Sequence, residues 1–137
     1  MLLAGVGIPV MAALNSALGA RIGAAGAAAS LFAVALCCSL TALLASRSTS
    51  WSAMAGIPVH LFAGGIFVAF YVLSITTLAP KMGVATAVLF VILGQLGTAA
   101  AIDHFGLLGA AKAAITPTRF VGLVLVTMGV LLARRPT

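Results

Sequence analysis

The 137-residue chain is 64% hydrophobic and only 6% charged, whereas a soluble domain is about a quarter charged, so its composition excludes a soluble globular protein. Its net charge of +6 comes from seven Lys and Arg residues; most of them lie singly between apolar runs, which excludes the clustered basic face that nucleic-acid binding requires. A bilayer core about 30 Å thick needs about 20 residues for each helical crossing, so the chain has room for four or five spans.

Breaks between the apolar runs predict an all-α, polytopic membrane protein with about five short transmembrane helices in a single transmembrane domain, residues 1–137. The predicted spans are residues 2–20, 24–45, 57–78, 84–102 and 120–133. The fifth run has only 14 residues, so we expect Arg134 and Arg135 to extend toward the membrane interface. Four spans plus a re-entrant segment is the main alternative.

The basic residues are shared almost equally between the two sides of the membrane. With five alternating spans, one side receives Arg47, Lys112 and Arg119, and the other receives Arg21, Lys81, Arg134 and Arg135. An excess of Lys and Arg on one side normally sets orientation, and three against four is no useful excess. The near balance favours insertion both ways up or an orientation imposed by a partner. We expect insertion both ways up and an antiparallel, dual-topology homodimer. Seven charges are a small sample, so uniform insertion is the alternative.

Two predicted spans carry a face of small residues that includes one amide. The face contains Ala12, Asn15, Ser16 and Gly19 in the first span and Gly94, Gln95, Thr98 and Ala101 in the fourth. Small residues mark helix contacts in membranes, and an amide facing lipid would lack hydrogen-bond partners. We therefore expect Asn15 and Gln95 to point inward. There they either bond neighbouring helices, for about 0.6–2 kcal/mol each, or line a substrate cavity.

Two further features favour a binding cavity. Pro9 frees the carbonyl near Gly5, and broken helices near polar residues are common at transporter binding sites. In the third span, Tyr71, Ser74 and Thr77 are spaced i, i+3, i+6 and could line a cavity, although packing with hydroxyl-to-backbone bonds is an equal alternative. The predicted substrate-binding residues are Asn15, Gln95, Tyr71 and Ser74.

Asp103, the only acidic residue, is followed by His104 at the end of the fourth predicted span. A carboxylate with a titrating neighbour could form a proton or cation site. The alternative is a stabilised turn, in which Asp103 accepts backbone N–H bonds or pairs with Lys112 or Arg119. Composition and spacing favour the stabilised turn but leave both interpretations open.

Three stretches of the sequence resemble a known family. They are Pro9 to Gly19, with Ala12-Ala13-Leu14-Asn15 inside it, Leu78 to Gly83, and Gly94-Gln95-Leu96 followed by Ile102-Asp103-His104-Phe105-Gly106. With these stretches the chain resembles a small bacterial inner-membrane family of unknown function in the drug/metabolite transporter superfamily. The resemblance covers nearly the whole chain and implies about five helices in each protomer.

The fifth span has features of a dimerisation helix. Gly122 and Gly129 lie seven residues apart on one face, which predicts a groove for a partner helix, with packing inside the chain as the alternative. Residues 122–130 also resemble the dimerisation run of the last helix in small multidrug resistance transporters, which implies a dimer. Those transporters exchange protons for cationic drugs through a glutamate in the first helix. This chain has no glutamate, and Asn15 lies at a comparable depth, so we do not expect that mechanism.

The sequence therefore predicts a small-molecule transporter that works as a dimer by alternating access, with a neutral or anionic solute favoured over a hydrophobic cation. The alternative is a non-transporting membrane subunit that assembles with a partner membrane protein and orients it. We expect a multi-pass protein of the bacterial inner membrane whose partners are lipid, a small-molecule substrate and a second copy of the chain. We expect no enzymatic activity, no catalytic residue, no metal site, no cofactor and no nucleic-acid partner.

Overall fold

The computed structural model describes residues 2–46 and 56–133, which form five α-helices and no strand. The helices are α1 (Leu2–Ile22), α2 (Ala24–Ser46), α3 (Gly64–Met82), α4 (Val84–Phe105) and α5 (Pro117–Ala133). The all-α class expected from the sequence is confirmed for this part of the chain. Arg47, Arg134 and Arg135, which we expected near the membrane interfaces, lie outside the described residues.

Four helical segments of the described chain are long and apolar enough to cross a bilayer: Leu2–Ile22, Ala24–Ser46, Val59–Met82 and Val84–Phe105. The third of these includes a 3-10 turn, Val59–Ala63, that leads into α3. α5 is a shorter apolar helix of 17 residues, which extends about 25 Å at 1.5 Å per residue. It is one continuous helix, and its crossing of the whole bilayer stays a prediction.

Several helices extend beyond the limits predicted from hydropathy. α4 continues to Phe105, so Asp103 and His104 lie in its last turn and not in a loop. It ends at Gly106, whose left-handed backbone places its N–H on the Ile102 carbonyl, a common way to close a helix. α5 begins at Pro117, where the missing N–H costs little because first-turn amides have no partner within the helix.

The link between α1 and α2 is the single residue Gly23. Its φ of +83° is a left-handed value that side chains rarely adopt. The Gly23 N–H donates to the Gly19 carbonyl at 2.9 Å, and the Ala27 N–H donates to the Gly23 carbonyl at 3.0 Å. Glycine is therefore required here, because it allows the chain to turn between two helices without leaving these backbone groups unpaired.

The chain forms two compact units, Met1–Lys81 and Met82–Thr137. In the first unit α1 packs along α2, and in the second α4 packs along α5. α3 belongs to the first unit, where its residue Thr76 contacts α1. The expectation of a single transmembrane domain over the whole chain stays a prediction.

The side chains buried within the described chain are few and mostly small. The buried apolar residues are Ala12, Ala27, Ala28, Val72, Ile75, Ala79, Ala87 and Val130. Large apolar side chains point outward instead; Leu14 is 67% exposed and Phe67 is 73% exposed. Lipid tails are as apolar as these side chains, so small residues between helices and large ones outside are the arrangement expected in a bilayer.

Candidate substrate-binding site

Asn15 of α1 lies in the contact between α1 and α3. It is only 3% exposed, and its side-chain amide donates a hydrogen bond to the Thr76 hydroxyl of α3. Thr76, also 3% exposed, donates its own hydroxyl proton to the Val72 carbonyl at 2.7 Å. The inward orientation expected for Asn15 is confirmed, and its partner is a residue that the sequence did not single out.

This chain of hydrogen bonds fixes which end of the Asn15 amide faces Thr76. The single proton of the Thr76 hydroxyl is used on the Val72 carbonyl, so the hydroxyl oxygen can only accept from Asn15. The amide nitrogen must therefore face Thr76. The Asn15 carbonyl oxygen and its second N–H have no hydrogen-bond partner within the described residues, which leaves one acceptor and one donor for another molecule.

The remaining small residues of the α1 face allow this close approach. Ala12 is fully buried and Ser16 is 9% exposed. A Cβ added at Gly19 would lie 2.9 Å from the Thr76 methyl carbon, a distance that side chains do not tolerate. The face of small residues predicted in the first span is therefore confirmed as a helix contact, and Gly19 sets how closely α3 can approach.

A groove of about 440 Å³ runs between α1 and α2 beside this contact. Its lining consists of Gly7, Val10, Met11, Leu14, Asn15, Leu18, Ser30, Leu31 and Val34. Asn15 and Ser30 are the polar members of that set, and none of its members is charged. The Ser30 hydroxyl donates to the Gly26 carbonyl at 2.9 Å, so it can only accept a hydrogen bond from a ligand.

The other predicted substrate-binding residues are placed differently. Tyr71 and Ser74 of α3 are half-buried. The hydroxyl oxygens of Tyr71 and of Ser16 in α1 are buried and have no hydrogen-bond partner among the described residues. Gln95 of α4 lies in the second unit and is exposed. The substrate-binding roles of Tyr71, Ser74 and Gln95 stay predictions.

Asp103 and His104 tie the end of α4 to the segment before α5. The Asp103 carboxylate lies 3.8 Å from the Arg119 guanidinium, with side chains 40% and 55% exposed. The Asp103 carbonyl accepts from the Ala113 N–H at 2.8 Å, and His104 Nδ1 accepts from the Ile115 N–H at 3.1 Å. These contacts match the stabilised-turn interpretation, and a proton or ion site here stays a prediction.

The glycine face of α5 is open within the described chain. A Cβ added at Gly122 or at Gly129 would meet no atom within 4 Å, so packing inside the described chain does not explain either glycine. Gly122 lines a cleft of about 360 Å³ between α4 and α5 that also includes Asp103 and Arg119. The dimer-interface role of Gly122 and Gly129 stays a prediction.

Comparison with protein families identifies the chain. Residues 1–132 match the family described as "Putative inner membrane exporter, YdcZ". The chain belongs to this family. The match confirms the resemblance to a small inner-membrane family of the drug/metabolite transporter type, and it covers all five helices except Ala133, the last residue of α5. Neither the curated proteins nor the solved structures include a match to the chain.

Membership in this exporter family, together with the apolar helices, makes the chain a multi-pass inner membrane protein. It also points to transport and away from catalysis. In the described part of the chain, no group of three or more His, Cys, Asp or Glu side chains is placed to hold a metal ion. Within this family assignment, the α1 face and the adjoining groove are the polar features of the first unit on which a transport site can be built.

Two residues of this region were missed by sequence reasoning, Thr76 and Ser30. Thr76 belongs to a buried face of α3, Val72, Ile75, Thr76 and Ala79, with the same i, i+3, i+4, i+7 spacing that identified the face of α1. That spacing would have found it, whereas the search for hydroxyl groups selected Tyr71 and Ser74. Ser30 carried no such signal, because a single serine in an alanine-rich helix is ordinary.

Proposed function

We propose that the chain is a small-molecule transporter of the drug/metabolite transporter type that works as a dimer by alternating access. The observation that carries the proposal is Asn15, a buried amide that bonds α3 and also lines a groove of about 440 Å³. A purely structural amide has no need of an adjoining cavity. Family membership supports the transport role at the coarser level of a membrane exporter.

The charge of the lining supports a preference for neutral or anionic solutes over hydrophobic cations. Asp103 is the only acidic residue of the chain, and it lies in the last turn of α4, paired with Arg119. A cation entering the groove would therefore lose its hydration without meeting a carboxylate. A neutral solute has no such cost. An anion loses its hydration in the groove as a cation does, but the six net positive charges of the chain attract the anion and repel the cation.

Transport by the purified protein alone tests this proposal. Liposomes containing the chain as the only protein would be loaded with neutral, anionic and cationic solutes, and solute release would be compared with that from protein-free liposomes. We expect release of at least one neutral or anionic solute, and a reduction of at least fivefold in Asn15→Ala and in Gln95→Ala. Ser39→Ala is the matched control, because Ser39 is exposed on α2 and bonds only the Ala35 carbonyl of its own helix. Normal transport by both amide variants would show that Asn15 and Gln95 serve only in helix packing.

The open face of α5 supports the dimer and also favours the alternative of a non-transporting subunit. Gly122 and Gly129 are about 10 Å apart along α5, so an antiparallel pair that meets through this face brings Gly122 next to the partner's Gly129. In a Cys37→Ala, Cys38→Ala background, coexpressed Gly122→Cys and Gly129→Cys chains should therefore form a disulfide-linked dimer, whereas a parallel pair would link each variant to itself. A reporter fused after Thr137 should be accessible from both sides of the membrane if the pair is antiparallel. Signal from one side only would exclude dual topology. Absence of solute release from liposomes, together with capture of a different membrane protein on α5, would favour the subunit.

A further inference from the structure

A sequence pattern near the α1–α2 link recurs sixty residues later. Residues 16–27, SALGARIGAAGA, align with residues 76–87, TTLAPKMGVATA, when each position n is compared with n + 60. The leucine, the central glycine and two alanines are identical, and most other positions exchange similar residues, such as Arg21 for Lys81. The glycines of this alignment are Gly23 and Gly83.

The structure repeats in the same register. Gly83 lies between α3 and α4 with a φ of +87°, and Gly23 has +83°. The Ala27 N–H bonds the Gly23 carbonyl at 3.0 Å, and the Ala87 N–H bonds the Gly83 carbonyl at the same distance. The buried positions also correspond: Ala12, Asn15 and Ser16 in α1, and Val72, Ile75 and Thr76 in α3. The segments α1–α2 and α3–α4 are thus two copies of one pattern of sequence, link and burial.

The copies differ in size or polarity at several of the positions that line the α1–α2 groove. Phenylalanine replaces a smaller residue three times: Phe67 corresponds to Gly7, Phe70 to Val10 and Phe90 to Ser30. The polar Asn15 of the first copy corresponds to the apolar Ile75 of the second. Conversely, the polar Tyr71 and Ser74 of the second copy correspond to the apolar Met11 and Leu14 of the first. The second copy therefore carries larger side chains at three of the positions that form the groove in the first copy.

We propose that the α1–α2 groove is a ligand-binding site, that Ser30 is a specificity-determining residue of it, and that its ligand is an uncharged, largely apolar molecule with an N–H or O–H donor. The proposal rests on the transporter function proposed above and names its site and substrate class. A volume of about 440 Å³ lies within the range of small-molecule pockets, about 300–1,000 Å³.

The chemistry of the lining selects this ligand class. The Ser30 hydroxyl donates its proton to the Gly26 carbonyl, and the Asn15 carbonyl oxygen has no partner within the described residues, so both oxygens can accept from a ligand donor. The rest of the lining is apolar and no member carries a charge. A fully charged ligand would lose its hydration there without a counter-charge, whereas an apolar molecule with one donor satisfies both parts of the surface.

Two fluorescent probes with one shared skeleton test the proposal. N-phenyl-1-naphthylamine is uncharged with one N–H, and 1-anilinonaphthalene-8-sulfonate adds a sulfonate. Binding to purified full-length protein in detergent would be measured by fluorescence titration, corrected with protein-free micelles. We expect saturable binding of the neutral probe and binding of the sulfonate at least tenfold weaker.

Ser30→Phe, which installs the residue of the second copy, should weaken neutral-probe binding at least tenfold. Ser39→Phe is the control, because Ser39 is also exposed on α2 and bonds its own helix at 2.8 Å but does not line the groove. Both variants would first be checked for wild-type thermal unfolding. Ser30→Ala removes only the hydroxyl oxygen and adds no bulk, so it tests the hydrogen bond without blocking the groove. It should weaken neutral-probe binding about threefold to tenfold.

Several outcomes would overturn the proposal. These are neutral-probe binding that is unchanged in both Ser30 variants, equal binding of the two probes, or saturable displacement of the neutral probe by phosphatidylcholine, which would make the groove a lipid site. Loss of dimer in Ser30→Phe would make it an interface between copies and would also overturn the proposal. Ser30-dependent binding without any solute release from liposomes would support the groove and contradict the transporter function. Solute release that is unchanged in Ser30→Phe would support the transporter function and contradict the groove as its binding site.

Discussion

The α1–α3 contact and the α4–α5 connection are held by opposite kinds of interaction. In the first, one uncharged hydrogen bond between Asn15 and Thr76 lies almost fully buried among small side chains. In the second, the Asp103–Arg119 ion pair is about half exposed and is accompanied by bonds to loop amides. Both contacts join helices that are not linked by a single residue, yet they use different chemistry.

The difference follows from where water is available. Deep in a bilayer a charge is unfavourable in free energy, and an unpaired amide has no water to bond. A hydrogen bond between uncharged groups with close packing is therefore the favoured contact. At a helix end near the interface the same ions remain hydrated, and a pair between them adds little. The stability of the first unit should therefore depend on shape and that of the α4–α5 connection on ionic conditions.

The largest effect should come from closing the gap at Gly19. In Gly19→Val the new Cβ would press on the Thr76 methyl, which lies 2.9 Å from that position, and overpacking of this kind costs about 1–3 kcal/mol. Thermal unfolding in detergent would measure the loss. Gly97→Val is the matched control, because a Cβ at Gly97 meets nothing within 4 Å. Equal stability of the two variants would contradict a close contact at Gly19.

A smaller effect is expected from removing the neutral bond. Asn15→Leu, Thr76→Val and the double variant form a cycle, and we expect a coupling free energy of about 0.6–2 kcal/mol, the range for hydrogen bonds between membrane helices. Unfolding in detergent would again be measured. Thr77→Val is the control, and its coupling free energy with Asn15→Leu should be too small to measure, since the Thr77 hydroxyl donates to the Leu73 carbonyl of its own helix. If the losses of unfolding free energy in the Asn15 and Thr76 variants are additive, the hydrogen bond between these residues does not stabilise the contact.

The smallest effect should follow the loss of the exposed ion pair. Asp103→Asn should cost about 0.2–1 kcal/mol at low salt, and the cost should shrink as salt screens the charges. Unfolding at low and high ionic strength would separate this from a structural effect. Lys112→Gln is the control that removes a nearby positive charge outside the ion pair. A loss that does not change with salt would show that Asp103 acts through something other than Arg119.

Sequence reasoning succeeded where a single physical constraint decided the outcome. The face of Ala12, Asn15, Ser16 and Gly19 was predictable because only small residues allow close helix approach in lipid. Thr76 was not selected, because the spacing of hydroxyl groups pointed to Tyr71 and Ser74 and the helical spacing around Thr76 was not used. Gln95 shows the converse limit, since its polarity predicted an inward position but its side chain is exposed in the described chain.

Helix ends were the other place where the sequence was insufficient. The fourth predicted span ends at residue 102, with Asp103 and His104 at its end, and the helix α4 continues through both residues to Phe105. A charged residue ends a hydrophobic run, but it does not end a helix whose backbone bonds are still being formed. Pro117 likewise begins α5 and is not part of the preceding loop. The groove was not predicted as a whole, because its lining in α1, Gly7, Val10, Met11, Leu14 and Leu18, has helical spacing but is apolar like the faces that meet lipid.

The one-residue link at Gly23 also bears on how the chain is made. The Gly23 N–H closes the end of α1 and the Gly23 carbonyl opens the first turn of α2, so no loop separates the two helices. We therefore expect the hairpin of residues 2–46 to enter the membrane as one unit.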